Sequence, residues 1–414
     1  AGGYAVVYCT GNNVPSGAQL EAGFGLGGEG DSVYLFDPGG LMVDKLQAGA
    51  FLPDVSYGRD ASGKLAYFNS PTLGGGNGAG AEGITAVPTL LTVPGVYDGP
   101  VEIALSAPEG ETIHYTLDCT APTAASPVYS GPIKAEKNTV VRAVSVREGY
   151  IENFTVTGTY LLKTDGVDHA LNIATLVTEP DNLWNGQTGI YAYGDNYDGS
   201  LPYGKMLETA NYFENGDEWE RPAHFSYFDE NGKAAFSQNV GISIAGAYGR
   251  GRAQKGFNII ARDEYGENRL NYPFFEELPY AEYKSVVLRA GGQDQNRSKI
   301  RDELAVAILK GTDVNFLYQQ YKPCVLYLNG EYWGVYFMKE KRNRFFVAQH
   351  EGTANKDDML IGKASSRVTY GTNAEWTELM SYVSSHDLSQ ASAYEYVSER
   401  VDVESFMDYM VCEL

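Results

Sequence analysis

Short segments in which apolar and polar residues alternate make up most of the first 162 residues. Val33 and Leu35 alternate on one side of an Asp-Pro-Gly-Gly turn, and similar segments follow it. Period-two alternation interrupted by turn residues is typical of strands in a β-sandwich. Residues 1–77 therefore predict one all-β sandwich module, and the small residues of 78–86 predict a linker.

A second module is predicted over residues 87–162. Its strands alternate more regularly, beginning with Val101, Ile103 and Leu105, and turn residues separate them at short intervals. We expect another β-sandwich.

The pattern changes after residue 240. Lys255 opens an apolar alternating strand, and a helix is predicted to begin near Ser298 and to stop at Gly311. The apolar face of that helix has helical spacing and comprises Ile300, Leu304, Ala307 and Ile308. A hairpin follows, turned by the dipeptide Asn329-Gly330. The N-lobe of a protein kinase has the same order of elements: a strand with a lysine, a helix with an acidic residue, and a hairpin.

The segment before the lysine strand carries candidate chemistry. Residues 241–262 read GISIAGAYGRGRAQKGFNIIAR, in which glycines alternate with Arg250 and Arg252 shortly before Lys255. Glycine-rich backbone can approach a phosphate closely, and its N–H groups can form an anion-binding concavity. The spacing fits neither the Walker A motif nor the ordinary kinase glycine loop. Taken alone, the segment is better explained as a glycine-rich hairpin with solvated basic residues.

Several motifs in order give the region a family resemblance. The matching phrases are LNIATLVTEPDNLWNGQTGIY, GISIAGAYGRGRAQKGFNIIARDEYG, VVLRAGGQD, SKIRDELA, YLNGEYWGVYFMKE and VDVESFMDYM. Residues 168–414 resemble the spore-coat kinase (CotH) family of atypical protein kinases. The resemblance implies ATP-dependent phosphorylation of serine or threonine on secreted or surface proteins, with ATP and Mg²⁺ as cofactors.

The same resemblance assigns roles to residues of this chain. It implies that Lys255 is the phosphate lysine, that Asp302 or Glu303 is its partner on the helix, and that Glu340 lies near the hinge. By the same resemblance, Arg250 and Arg252 contact phosphate. The two acidic neighbours point about 100° apart on a helix, so the choice between them stays open.

The family places its catalytic base and magnesium ligands beyond the helix that begins at Asp402. Those residues are expected beyond Leu414, so the catalytic residues are unknown, no metal ligand is assigned, and this polypeptide is expected to be inactive alone. Whether the parent is an enzyme stays uncertain.

The two β modules also have resemblances. Residues 1–77 resemble the second half of a lamin-tail domain through VSYGR and YFNSPTLGGGN. Residues 87–162 resemble the immunoglobulin-like C-terminal domain of chitobiase-type enzymes through YTLDCTAPT and SPVYSGPI, with Cys119 where that family usually has glycine. The expected fold is therefore multidomain: two all-β sandwiches, then an α+β kinase-like N-lobe with the start of a helical C-lobe.

The net charge of the chain limits the classes of partner that it can bind. The formal net charge of −22 argues against nucleic acid and anionic membrane surfaces. No run of 18 apolar residues is present, so no membrane span is predicted. The four cysteines are scattered and are best explained as buried thiols. An extracellular, cell-surface or spore-coat location is expected.

Two functions from different classes remain open. The first is a secreted or surface kinase that uses a nucleotide and a protein substrate, with nucleotide binding dependent on Lys255. The second is a non-catalytic adhesin or scaffold, whose β modules bind a cell-wall or surface glycan or a protein.

Overall fold

The computed structural model describes residues 3–10, 20–28, 30–352, 361–363 and 367–413, without side chains for 361–363 and 367–370. Three regions follow one another along the chain: an N-terminal set of short paired strands, a small β module and a closed barrel with flanking helices.

The N-terminal region contains six short strands in three two-stranded sheets. They are β1 (Val7–Cys9), β2 (Leu20–Ala22), β3 (Ser32–Phe36), β4 (Met42–Gln47), β5 (Ser56–Arg59) and β6 (Leu65–Phe68). The Asp37 carboxylate accepts hydrogen bonds from the N–H groups of Gly39 and Leu41, which shapes the predicted turn between β3 and β4. Val33 and Leu35 are 41% and 59% exposed, so among the described residues this hairpin is not covered as a sandwich would cover it.

The second module is a β structure with its own core. Its strands are β7 (Gly83–Ile84), β8 (Thr89–Leu90), β9 (Gly95–Tyr97), β10 (Val101–Ile103), β11 (Leu105–Ser106), β12 (Thr112–Thr116), β13 (Ile133–Ala135), β14 (Thr139–Val146), β15 (Tyr150–Ile151) and β16 (Val156–Leu162). The largest sheet has the order β12-β14-β16-β9. Ile103 and Leu105 lie in the core, as the alternation predicted, together with Val141 and Tyr160.

The third region is built on a closed seven-stranded barrel with the order β17-β18-β19-β20-β23-β25-β24. Its strands and the small ribbon beside it are β17 (Asn172–Val177), β18 (Arg221–Phe228), β19 (Ala234–Ala245), β20 (Gly256–Ile260), β21 (Leu270–Asn271), β22 (Glu282–Tyr283), β23 (Ser285–Arg289), β24 (Tyr321–Leu328) and β25 (Glu331–Glu340). Parallel pairing of β17 with β24 closes the barrel. Phe257, Ile259 and Ala261 are fully buried in its core, which confirms the predicted strand after Lys255. The closure was not predicted, and the likeness of this region to a kinase lobe stays a prediction.

Helices surround the barrel and follow it. They are α1 (Pro180–Trp184), α2 (Tyr203–Glu208), α3 (Arg301–Leu309), α4 (Arg344–His350), α5 (Ala374–Ser385), α6 (Ala391–Ser398) and α7 (Val403–Glu413), with the hairpin β26 (Ile361–Lys363) and β27 (Arg367–Tyr370) between α4 and α5. Within the described parts of the chain, no helix is both long and apolar enough to cross a membrane.

The predicted helix near Ser298 is α3, but its buried face was predicted wrongly. The helix begins at Arg301, and the Ser298 hydroxyl donates to Asp294 instead of capping the helix. Ile300, Leu304 and Ile308 are exposed, while Glu303 is the buried residue of the helix. The reason is electrostatic, because Glu303 pairs with a buried lysine of the barrel.

The turn of the β24–β25 hairpin connects the barrel to the small β module. Asn329 and Gly330 both have positive φ, at 51° and 83°, as the predicted Asn-Gly turn requires. The Asn329 side-chain oxygen accepts from the N–H of Thr178 at 2.9 Å, and its carbonyl accepts from the thiol of Cys119 at 3.8 Å. Cys119 itself has a φ of 66°, the left-handed conformation that a glycine usually adopts. The hairpin turn of the barrel therefore contacts the small β module directly, through Cys119.

Asn329→Ala should lower the free energy of unfolding by about 2–3 kcal/mol. Alanine is strained at positive φ, and it also removes the hydrogen bond to Thr178. Asn329→Gly removes only the hydrogen bond and should cost about 1 kcal/mol. Urea titration followed by tryptophan fluorescence measures both variants, and equal losses would contradict the role given to the backbone conformation.

Candidate functional site

A basic cleft lies where the loop after β19 faces the segment between β23 and α3. It encloses about 530 Å³. Its lining comprises Tyr203, Tyr248, Arg252, Arg289, Gln293, Asp294, Arg297, Arg301 and Asp302. Four guanidinium groups against two carboxylates leave this cleft positive in a chain whose net charge is −22.

Glycines allow the two walls to approach each other. The loop after β19 turns at Gly246, with φ of 98°, and forms one 3-10 turn over Tyr248–Gly251. Opposite it, Gly291 and Gly292 have φ of 84° and 54°. A Cβ at Gly292 would lie 2.7 Å from a terminal nitrogen of Arg289, so a larger residue would displace that guanidinium.

The arginines of the cleft fall into two classes. Arg289 pairs with Asp302, and Arg301 pairs with Asp294 at 3.2 Å. The Ser298 hydroxyl contributes most to lowering the pKa of Asp294, which keeps this carboxylate charged. Arg252 and Arg297 have no carboxylate partner among the described residues. Two guanidinium groups are thus held in place, and two have donors available for an anion.

Lys255 lies behind the cleft wall and not among its lining residues. Its ammonium donates to the carbonyls of Arg250 and Arg252 at 2.8 and 2.9 Å, and it lies 3.8 Å from the ring centre of Tyr212. The side chain is buried, which lowers the pKa of Lys255 to about 8. Lys255 therefore holds the glycine-rich loop in shape.

The predicted pairing of Lys255 with an acid of α3 is not formed. Its ammonium is occupied by the two carbonyls, Asp302 pairs with Arg289, and Glu303 pairs with Lys339 of β25 at 3.3 Å. The predicted kind of ion pair, between a buried strand lysine and a helix carboxylate, is present, but its lysine is Lys339 and not Lys255. Burial lowers the pKa of Lys339, and the charge of Glu303 opposes that effect.

Arg250 and Glu340 also have structural partners. The Arg250 guanidinium donates to the carbonyls of Gly246, Phe213 and Glu214, so it braces the loop from outside the cleft. The buried Glu340 carboxylate accepts from the Tyr280 hydroxyl at 2.8 Å and from the backbone N–H of Gln320 at 2.9 Å. Of the six predicted site residues, Arg252 and Asp302 line the cleft.

Sequence reasoning missed Arg289, Arg297 and Arg301. The signal was present, since three arginines flank the Gly291-Gly292 pair between a strand and a helix. Such an arrangement brings side chains from a strand end, a turn and a first helical turn to one place.

The donors of the cleft suit phosphate groups. Arginine binds phosphate oxygens through two parallel N–H groups, with both charge and geometry matched. Magnesium fits this set less well, because both cleft carboxylates are already paired with arginines. No group of three or more His, Cys, Asp or Glu side chains that could hold a metal is found within the described ranges.

Replacing Glu303 tests the buried ion pair. Glu303→Leu leaves the Lys339 ammonium buried without its counter-charge and should cost about 3–5 kcal/mol of stability. The double variant Glu303→Leu/Lys339→Met should recover most of that loss. As a matched control, Asp302→Asn breaks a half-exposed pair and should cost less than about 1 kcal/mol in the same urea titration. A double variant no more stable than Glu303→Leu would contradict the pairing.

The lowered pKa of Lys255 predicts a pH dependence. Between about pH 8 and 10.5 the unfolded chain keeps this proton while the folded chain has lost it, so stability contributed by this residue rises with pH across that window. Relative to Lys255→Met, wild-type stability should rise by up to about 3 kcal/mol from pH 7 to pH 10.5. Urea midpoints of both proteins measure the difference, and a constant difference would show that Lys255 titrates normally.

Two known protein-family models match this chain, one mainly in the barrel region and one in the small β module. Residues 242–414 match the family model CotH kinase protein, a range that begins in β19 and includes both walls of the cleft. Residues 92–157 match the model Chitobiase/beta-hexosaminidase C-terminal domain. No curated protein matches the chain. Both matches lie inside the ranges expected from sequence, 168–414 and 87–162, and the chain therefore carries a CotH kinase domain preceded by a chitobiase/beta-hexosaminidase C-terminal domain.

Proposed function

We propose that this protein is an atypical protein kinase whose basic cleft binds the phosphates of ATP. Its acceptors are serine or threonine residues of proteins outside the cell or in a spore coat. The observation that carries the proposal is the convergence of Arg252, Arg289, Arg297 and Arg301 on one cleft of a strongly acidic chain.

Charge favours a polyanion in this position. A triphosphate approaching the chain is repelled by most of its surface, and the cleft offers the opposite sign. Arg252 and Arg297 have donors available for two neighbouring phosphate groups. Arg289 and Arg301 are oriented by their aspartates, so little side-chain entropy is lost when an anion binds beside them.

Aromatic side chains support the nucleotide part of the proposal. Tyr203 and Tyr248 line the cleft and are 59% and 61% exposed. An exposed tyrosine ring offers a flat apolar surface on which a purine can stack, and such contacts add to phosphate binding. The cleft thus combines a phosphate subsite with flat walls.

The buried lysine has an indirect part in this proposal. Lys255 holds the carbonyls of Arg250 and Arg252, and thereby positions the arginine that lines the cleft. Loss of Lys255 would weaken nucleotide binding through a displaced loop, and not through a lost contact to phosphate.

Calorimetric titration with ATP and Mg²⁺ at about 150 mM salt tests the phosphate subsite. Arg252→Gln and Arg297→Gln should each weaken binding about 10-fold or more, because each removes charge-assisted hydrogen bonds. Arg269→Gln is the control, since Arg269 lies in the same domain but pairs with Glu282 away from the cleft. Pyrophosphate should compete with ATP.

Binding that is equal in all variants would overturn the assignment of the cleft. Transfer of labelled γ-phosphate to a serine-containing acceptor protein tests the enzymatic step separately. Tight ATP binding without transfer would agree with the expectation that this polypeptide is inactive alone, and no binding of ATP or pyrophosphate would favour an adhesin.

A further inference from the structure

A second cleft, unlike the basic one, lies where the small β module meets the outer face of the barrel. It encloses about 470 Å³ and is lined by 17 residues from both regions. The module contributes an apolar wall that includes Leu90, Pro94 and Phe154. The barrel contributes polar side chains of β18 and β19. Clefts of this size at a junction between domains are common places for small ligands.

A row of neutral polar side chains forms the barrel wall. Alternate residues of β18 and β19 face outward, and they form a hydrogen-bonded chain. His224 Nδ1 lies 2.8 Å from the side-chain oxygen of Asn239, and His224 Nε2 lies 2.7 Å from the hydroxyl of Ser237. Ser226 continues the chain at 3.2 Å from Ser237. Four side chains therefore hold one another in fixed orientations.

This chain leaves donors free to reach a ligand. When His224 Nδ1–H donates to the Asn239 oxygen, Nε2 accepts from the Ser237 hydroxyl. The Asn239 amide nitrogen then has two N–H donors, and neither has a partner among the described residues. Burial lowers the pKa of His224 to about 4, so the ring is neutral near pH 7.

Charge is nearly absent from the cleft. One lining residue of 17, Glu267, is charged near neutral pH, whereas 20% of the chain as a whole is charged. An anion would find no cation among the lining residues, and a cation would find one carboxylate beside a largely apolar wall. The lining therefore selects a neutral ligand with hydroxyl or carbonyl groups on one face and apolar C–H groups on the other.

We propose that the junction cleft binds a neutral sugar ring, as part of a glycan. A pyranose presents hydroxyl groups at its edge and C–H groups on its faces, which matches amide and hydroxyl donors opposite Phe154. The site uses no residue of the basic cleft, so it does not depend on the proposed kinase activity.

Ligand-detected NMR on the full chain provides the test, with neutral and charged sugars that share a pyranose ring. Neutral probes are glucose, galactose and N-acetylglucosamine, and charged probes are glucosamine and glucuronic acid. At least one neutral sugar should bind with a dissociation constant on the order of millimolar, as expected for a ligand of this size. The charged sugars should bind at least 10-fold more weakly.

Two variants locate the binding. Asn239→Leu removes the free donors at nearly constant volume, and Ser237→Phe fills the cleft from an exposed strand position. Each should weaken sugar binding about 10-fold or more. Thr112→Phe, at an exposed strand position outside the cleft, is the matched control and should leave binding unchanged. Unchanged thermal unfolding shows that each variant is folded.

The proposal is overturned if no neutral sugar saturates the protein at a sugar concentration about 50-fold above the expected dissociation constant. It is also overturned if charged sugars bind as tightly as neutral ones, or if folded Ser237→Phe binds like the wild type.

Discussion

Parallel pairing of β17 with β24 closes the barrel, and both clefts depend on that closure. Five residues of each strand are in register, from Asn172 opposite Cys324 to Leu176 opposite Leu328. Closure removes the free edges of the sheet and fixes every strand relative to its neighbours. The rim loops after β19 and β23 can then face each other, and the outer surface of β18 and β19 becomes a rigid wall.

Buried cations maintain the rim in this arrangement. Lys255 directly precedes β20 and Lys339 lies in β25, with β23 between these two strands, and each lysine is held by oxygen atoms of a different kind. Backbone carbonyls hold Lys255, so its charge shapes a loop. The carboxylate of Glu303 holds Lys339, so its charge anchors α3. The arginines of the basic cleft therefore project from two segments that are each fixed by a lysine beneath them.

Local patterns in the sequence predicted local structure well. The Asn329-Gly330 turn and the alternating strand after Lys255 were expected from residue type and period alone, and both are present. The partners of buried charges could not be predicted this way, because they depend on which strands become neighbours on closure. The helical spacing of Ile300 and Leu304 indicated a buried face, but both side chains are exposed. Glu303 is buried instead, because its carboxylate pairs with the buried ammonium of Lys339. The arginines around Gly291-Gly292 come from a strand end, a turn and the start of a helix, so they form one cluster only in the folded chain.

The twelve-residue strand β19 lines the junction cleft and leads towards the basic cleft. Ser237 and Asn239 lie in the junction cleft, and Ala245 leads directly into the loop that carries Arg252. Ala245 lies six positions after Asn239 along the strand, which corresponds to roughly 20 Å. A glycan in the junction cleft and a triphosphate in the basic cleft would be kept at a constant spacing by this strand and the loop that follows it. A protein decorated with sugar would then present its hydroxyl groups to the phosphates only at a matching distance from the attachment point.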